Sequence, residues 1–276
     1  MLPTFLVIGA MKCGTTSLHY YLDLHPQIFM SKHKELDFFI AERNWQKGIS
    51  WYQSNFGNEA GILNGESSTG YTKYPQILGV PQRMYSVLPG AKLIYVVRDP
   101  VERIISHYIH ECAQGTELRT IDEALKDLEN NHYVETSSYF LQLQQFLEFY
   151  PSDRILTVAA EDLRESRNLT LRKIYGFLNV DDEFHSPEFS RVLHRSIEKR
   201  RKNWLGHLFS KVTVRNYQLH VGVPASGQTF VRRITGTHIH RPILSARLRQ
   251  DLIERLRGDV NSLRSFTGME FKLWCL

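Results

Sequence analysis

Apolar and polar positions divide the chain into short buried runs and longer amphipathic ones. Phe5–Ile8 is a continuous apolar run, the pattern of a buried strand. Gly9 to Gly14 reads as a tight turn. From Thr15 the spacing turns helical, with Leu18, Tyr21 and Leu22 on one side. Pro26 stops that helix, because the residue before a proline avoids the α region. Gly48–Phe56 is an amphipathic helical turn whose Trp51, Tyr52 and Phe56 belong to the core. Gly61–Glu66 predicts a second strand, and Pro75–Leu88 a helix closed by Pro89 and Gly90. Ala91–Val97 is the clearest strand, an apolar run rich in β-branched and aromatic residues, as burial on both faces requires. Asp99 suits a helix cap and Pro100 the first helical position, so the next helix runs from Val101 to about Cys112. Ile121–Glu129, Ser137–Phe149, Leu169–Leu178 and Leu244–Leu263 predict further helices, and Arg154–Ala159 another strand. Between Asp181 and Thr237 the pattern gives only loops, around Pro187 and Gly222–Gly227.

Strands alternating with helices imply an α/β fold, a P-loop-like central parallel β-sheet flanked by helices on both faces. A single domain over 1–276 is expected. Ligands of such sheets bind beyond the carboxyl ends of the strands. Lys12 and Arg98 both follow strand ends and are expected to face one crevice.

Composition changes this picture little. With 42% hydrophobic and 23% charged residues in 276, the chain is of ordinary globular type, without repeats or low-complexity tracts. The apolar stretch Phe5–Met11 is broken by glycine and too short to span a bilayer, and it lacks the basic flank and cleavage pattern of a secretory signal. A cytoplasmic protein without a membrane span is expected. Cys13, Cys112 and Cys275 give neither a disulfide framework nor zinc spacing. The net charge of +5 is local: eight Lys/Arg and one acid lie between Arg191 and Arg215, and the rest of the chain is slightly acidic. Such a segment fits nucleic acid, a membrane surface or a small polyanion.

Candidate chemistry centres on Gly9-Ala-Met-Lys12-Cys13-Gly14-Thr15-Thr16-Ser17. A strand, a turn and a helix N-terminus make a phosphate cradle, since the first N–H groups of a helix lack partners and its dipole favours an anion. The triphosphate loop is G-x-x-x-x-G-K-[ST]. Here Thr15 takes the place of that lysine, and the lysine, Lys12, lies inside the loop. A second motif is Arg98-Asp99-Pro100 with Ser106 two helical turns on, a guanidinium fork and a hydroxyl able to meet on one phosphate.

In these two motifs the chain resembles the sulfotransferases that use 3′-phosphoadenosine 5′-phosphosulfate (PAPS), of bacterial type and related to the heparan-sulfate branch. The resemblance covers Thr4 to about Asn179 and the terminal helix. It implies that Lys12, Cys13, Gly14, Thr15, Thr16 and Ser17 bind the 5′-phosphosulfate, and that Arg98 and Ser106 bind the 3′-phosphate. Lys34-Glu35-Leu-Asp37-Phe38-Phe39 is similar to the branch's K-E-x-x-F-F segment, which makes Glu35 the general base; His107 and His110 are rival bases. Gly65-Glu66-Ser67-Ser68-Thr69-Gly70-Tyr71 is similar to G-E-[KAS]-[ST]-P-x-Y, but Ser67 stands where some members carry a catalytic lysine, and Gly70 departs from the usual arrangement. One or two of Lys199, Arg200 and Arg201 are expected over the donor's phosphates. Glu102 and Arg103 are expected at the surface or in helix pairing.

These features imply transfer of a sulfuryl group from PAPS to a hydroxyl or to an amine or carbamoyl nitrogen of a small-molecule natural product, without metal. The product would be adenosine 3′,5′-bisphosphate (PAP). The alternatives are a glycan or glycolipid acceptor, a P-loop kinase using ATP, and a non-catalytic nucleic-acid or anion-binding module. With two phosphate motifs elsewhere in the chain, a small polyanion suits the basic run better than nucleic acid. Oligomeric state stays open.

Overall fold

A computed structural model describes residues 1–191, 200–202 and 236–276. Lys199 and the loop expected around Gly222–Gly227 lie outside them.

The first elements follow the apolar pattern. Strand β1 is Phe5–Gly9, helix α1 Thr15–Asp23, strand β2 Ile28–Met30, helix α2 Gly48–Gln53 and strand β3 Leu63–Ser67. Then come α3 (Val80–Val87), β4 (Lys92–Val97), α4 (Pro100–Gln114), α5 (Ile121–Ala124), α6 (His132–Glu135) and α7 (Tyr139–Leu147). Strand β5 (Ile155–Ala159) leads into α8 (Ala160–Glu165) and α9 (Arg167–Leu178). Short strands β6 (Arg200–Lys202) and β7 (Gly236–His238) pair antiparallel, and α10 (Ala246–Thr267) follows.

Five strands form one parallel sheet in the order β2-β3-β1-β4-β5. β1 lies at its centre, with Phe5 opposite Gly65 on one side and Lys92 on the other. Side chains alternate between faces along a strand, yet every residue of Phe5–Ile8 is 0% exposed. Both faces are therefore covered, as parallel sheets require. A second apolar cluster joins α4, α5 and α6 to Leu252 and Leu256 of α10. Among the described residues no helix is long and apolar enough to cross a membrane.

Two helices are shorter than their sequence suggests. The helix expected from Pro75 begins only at Val80, after Gly79 in the left-handed region, with Pro81 in its first turn. The helix expected over Ile121–Glu129 is one turn, Ile121–Ala124, opened by a Thr120–Glu123 capping box. The Asp99 cap forms as expected, its carboxylate accepting the Glu102 N–H at 2.9 Å.

Candidate active site

Gly14 makes the first turn of the site. Its φ of +89° lies where a side chain is strained, so glycine lets the loop swing directly into α1. The leading N–H groups of α1 then have no acceptor within their own helix. Lys12 also holds a positive φ, as do Glu35 and Asp37. These three account for most of the left-handed non-glycine residues among those described, and all three line one cleft of about 350 Å³. Backbone strain gathers at sites whose surroundings over-determine them. Thr15, Thr16, Lys34, Arg43, Thr69, Gly70, Lys73 and His110 complete much of the lining.

Glu35 enters the cleft from the loop after β2. Its Oε2 accepts the Thr69 N–H at 2.7 Å, and Lys34 pairs with Oε1. The carboxylate is thus held in a half-open position, against the lysine of its own loop and across from Lys12. Asp37 pairs with Arg43 and packs against the backbone at Gly70. A Cβ at position 70 would come within 2.8 Å of both Asp37 and Ile40. That close approach explains the glycine in a place where the resemblance suggested another arrangement.

Behind this wall lies Glu66, 0% exposed. Ser68 Oγ and Tyr71 OH each donate to its Oε1 at 2.6 Å, and Tyr52 OH donates to Oε2. Burial pushes its pKa up from 4.5 to about 7. The folded chain therefore keeps a proton that the unfolded chain releases between pH 4.5 and 7, and this group's contribution to stability falls as pH rises through that window. Glu66→Gln should gain on the order of 1–3 kcal/mol over the wild type between pH 4.5 and 8. Urea unfolding of both chains at the two pH values checks this; an offset that does not change with pH would refute it.

Ser67 takes its partner from α1, His19 Nδ1 at 3.0 Å. Burial drives His19 down to about 4, so its ring is neutral near pH 7. Lys73, seven residues after Glu66, is a cation of the cleft that the sequence did not single out. Burial, with Arg103 and Arg43 nearby, lowers its pKa, against the opposite pull of Glu111 and Asp37.

Arg98 leaves β4 beside β1, but it is not part of the cleft lining. Tyr139 links the Lys12 and Arg98 loops: its hydroxyl accepts the Arg98 N–H at 3.3 Å and lies 3.6 Å from Cys13 Sγ. Burial raises the Cys13 thiol to about 11, so it is a neutral filler. The Arg98 guanidinium reaches Glu102 at 3.4 Å, and Arg241 and Arg249 reach the same carboxylate at 2.6 and 3.8 Å. Three guanidiniums thus meet on one acid at the head of α4, beside the Asp99 carboxylate that caps the helix. Arg241 and Arg249 lie far along the chain and carried no local signal. Ser106 is buried on α4. β6 runs against α4, which brings the backbone of Arg200 and Arg201 to this side of the molecule.

Two expectations are corrected. Arg103 is not at the surface: it is 0% exposed and donates to the carbonyls of Met11 and Tyr133, to Ser137 Oγ and to His107 Nδ1. It thereby ties α4 to the residue before Lys12. His107 is buried as well, with Nδ1 on Arg103 and Nε2 3.4 Å from Glu111. Burial and the Arg103 charge push its pKa down to about 3. Both ring nitrogens of His107 are engaged and it is not part of the cleft lining, whereas His110 is.

Against known proteins, residues 2–221 match the family described as the sulfotransferase domain. Human (Homo sapiens) bifunctional heparan sulfate N-deacetylase/N-sulfotransferase 2 is 33% identical over 200 residues, 65% of this chain and 22% of that protein. The membrane-associated sulfotransferase kil1 of Dictyostelium discoideum is 41% identical over 111 residues, 39% of this chain and 22% of its own length. The chain thus spans about a fifth of these relatives. The crystal structure of a sulfotransferase from Alicyclobacillus acidocaldarius matches 99% of both chains, with a TM-score of 0.71 and 23% identity. A mouse sulfotransferase, SULT7A1, complexed with PAP, covers 96% of this chain and 89% of its own, with a TM-score of 0.52 and 15% identity. At these identities the two structures speak for the fold.

Proposed function

The chain belongs to the sulfotransferase domain family, and from that membership we propose that it moves a sulfuryl group from PAPS to an acceptor hydroxyl or nitrogen in the cleft beside Lys12. The observation that carries this is the pairing of two anion-binding elements on neighbouring strands: the Lys12 loop after β1 and the Arg98 loop after β4. PAPS supplies the activated sulfuryl group. Glu35 takes the acceptor proton, and the acceptor oxygen or nitrogen bonds to sulfur in line with the leaving oxygen. Lys12 and the first N–H groups of α1 stabilise the charge that builds on that oxygen. Arg98 and Ser106 hold the 3′-phosphate, with the backbone around Arg200 and Arg201 nearby. Residues 1–276 act as one catalytic domain.

The acceptor side of the cleft carries Lys34, Arg43 and Lys73 against Glu35 and Asp37. A small molecule bearing an anionic group fits that balance, and a glycan does so equally; transfer from labelled PAPS to matched neutral and carboxylated acceptors separates these from uncharged substrates. A preference for the neutral forms would overturn the anionic reading.

Thermal unfolding tests the donor. PAP should raise the unfolding temperature, while ATP with magnesium and a single-stranded oligonucleotide should leave it unchanged. Stabilisation by ATP–magnesium alone would replace this reading with a P-loop kinase, and stabilisation by the oligonucleotide alone with a nucleic-acid module.

A further inference from the structure

The segment after α10 turns back on the Arg98 loop. Trp274 is 7% exposed, stacked on Phe271 with ring centroids 4.1 Å apart and set against Tyr139 at 5.8 Å. Its indole N–H donates to Glu161 Oε2 at 3.1 Å. The other oxygen of Glu161 accepts the main-chain N–H of Asp99 at 3.0 Å. The next residue, Cys275, donates its N–H to Asp99 Oδ2 at 2.6 Å, while Asp99 Oδ1 caps α4. The Asp99 carbonyl accepts the Arg103 N–H at 2.8 Å, so every polar atom of Asp99 is engaged. Two of these bonds come from the last segment, one directly and one through Glu161.

The same segment bears on the Lys12 loop. Tyr139, beneath the Trp274 ring, joins Arg98 N to Cys13 Sγ. Tyr139 opens α7, and Asp259 of α10 binds the next two N–H groups of that helix, Phe140 at 3.0 Å and Leu141 at 2.8 Å. Arg98 is the residue immediately before Asp99, so the direction of its guanidinium follows the backbone that this strap fixes. A bidentate clamp on phosphate depends on sub-ångström placement of the guanidinium.

We infer that Trp274, acting through Glu161 and Asp99, is a positioning residue that aims Arg98 at the donor's 3′-phosphate. This rests on the donor reading above, and it extends the donor site to residues more than 150 positions beyond Arg98 in sequence. Among the described residues the hydrogen bonds of the strap go to the Arg98–Asp99 side, and it meets the Lys12 loop through Tyr139. Weakening it should cost the 3′-phosphate more than the rest of the nucleotide.

Calorimetric titration of the full chain with PAP and with adenosine 5′-monophosphate reads this directly. Trp274→Phe keeps an aromatic ring and removes the N–H; Glu161→Gln is near-isosteric and can keep an acceptor for Asp99 while losing the one for the indole. Each is expected to weaken PAP binding about tenfold, the scale of one hydrogen bond to a charged group, and to change monophosphate binding less than about twofold. The double variant should be no weaker than the singles, because both break one link. Equal losses for both nucleotides, or no loss for either, would overturn the inference. A wild-type chain that binds PAP no better than the monophosphate would overturn the donor reading itself, and with it this one, before any substitution is made.

Discussion

Lys12→Ala should lower sulfuryl-transfer turnover by about 10²–10³-fold, the cost of removing one preorganised donor from a developing oxyanion. Lys12 sits in the left-handed region, in the turn between strand β1 and helix α1. In the proposed mechanism its ammonium meets charge that appears only as the bond to the leaving oxygen breaks. The loss should therefore fall on kcat, while PAP affinity, which also draws on the α1 N–H groups and the Arg98 loop, drops much less. Single-turnover rates with labelled PAPS, set beside PAP titrations, separate the two quantities. Unchanged turnover would remove Lys12 from the mechanism.

Glu35→Gln should reduce turnover by about 10²–10⁴-fold, the range of a positioned general base. Glutamine keeps an oxygen for the Thr69 N–H and loses both proton acceptance and the charge that pairs with Lys34. PAP binding should stay within about threefold, since that nucleotide does not reach the acceptor side. If Glu35→Gln retains turnover and His110→Asn loses it, the base is His110, the histidine of the cleft lining. His107→Asn is the control: it disturbs the Arg103 network and should appear in unfolding temperature before it appears in chemistry.

Local pattern was enough for four of the five strands of the parallel sheet and for the loops that follow β1 and β4. A run such as Ala91–Val97 has one reading, because only a strand buried on both faces tolerates so little polarity. The Asp99 cap was legible because capping acts within a few residues, and the Thr15 helix start because the Gly14 turn lies directly before it. Arg103 was misread because an arginine on a helix is usually solvated. Its burial depends on carbonyls from Met11 and Tyr133, which no spacing rule connects to it. His107 followed Arg103 inward. Tyr139 and Trp274 carried no signal, because their hydroxyl and N–H find partners across more than 40 and more than 110 residues of sequence, respectively. Lys73 was invisible because a lone lysine in a loop carries no pattern at all. The helices that fell short, after Pro75 and after Ile121, did so where glycine, proline or a tight cap overrode apolar periodicity.

The central place of β1 bears on how the chain reaches this state. Phe5 lies opposite Gly65 and Lys92, partners 60 and 87 residues away in sequence. A chain diluted out of denaturant must close loops of that length before its most apolar strand gains either neighbour. Parallel pairing at such separation is slow, and during the wait Phe5–Ile8 is an unpaired, sticky edge open to other chains. Recovery of active protein is then a race between an intramolecular search, indifferent to concentration, and encounters between chains, which are not. The loop that holds Lys12 hangs from that late-pairing strand, so it becomes able to grip an anion only after the middle of the sheet has closed.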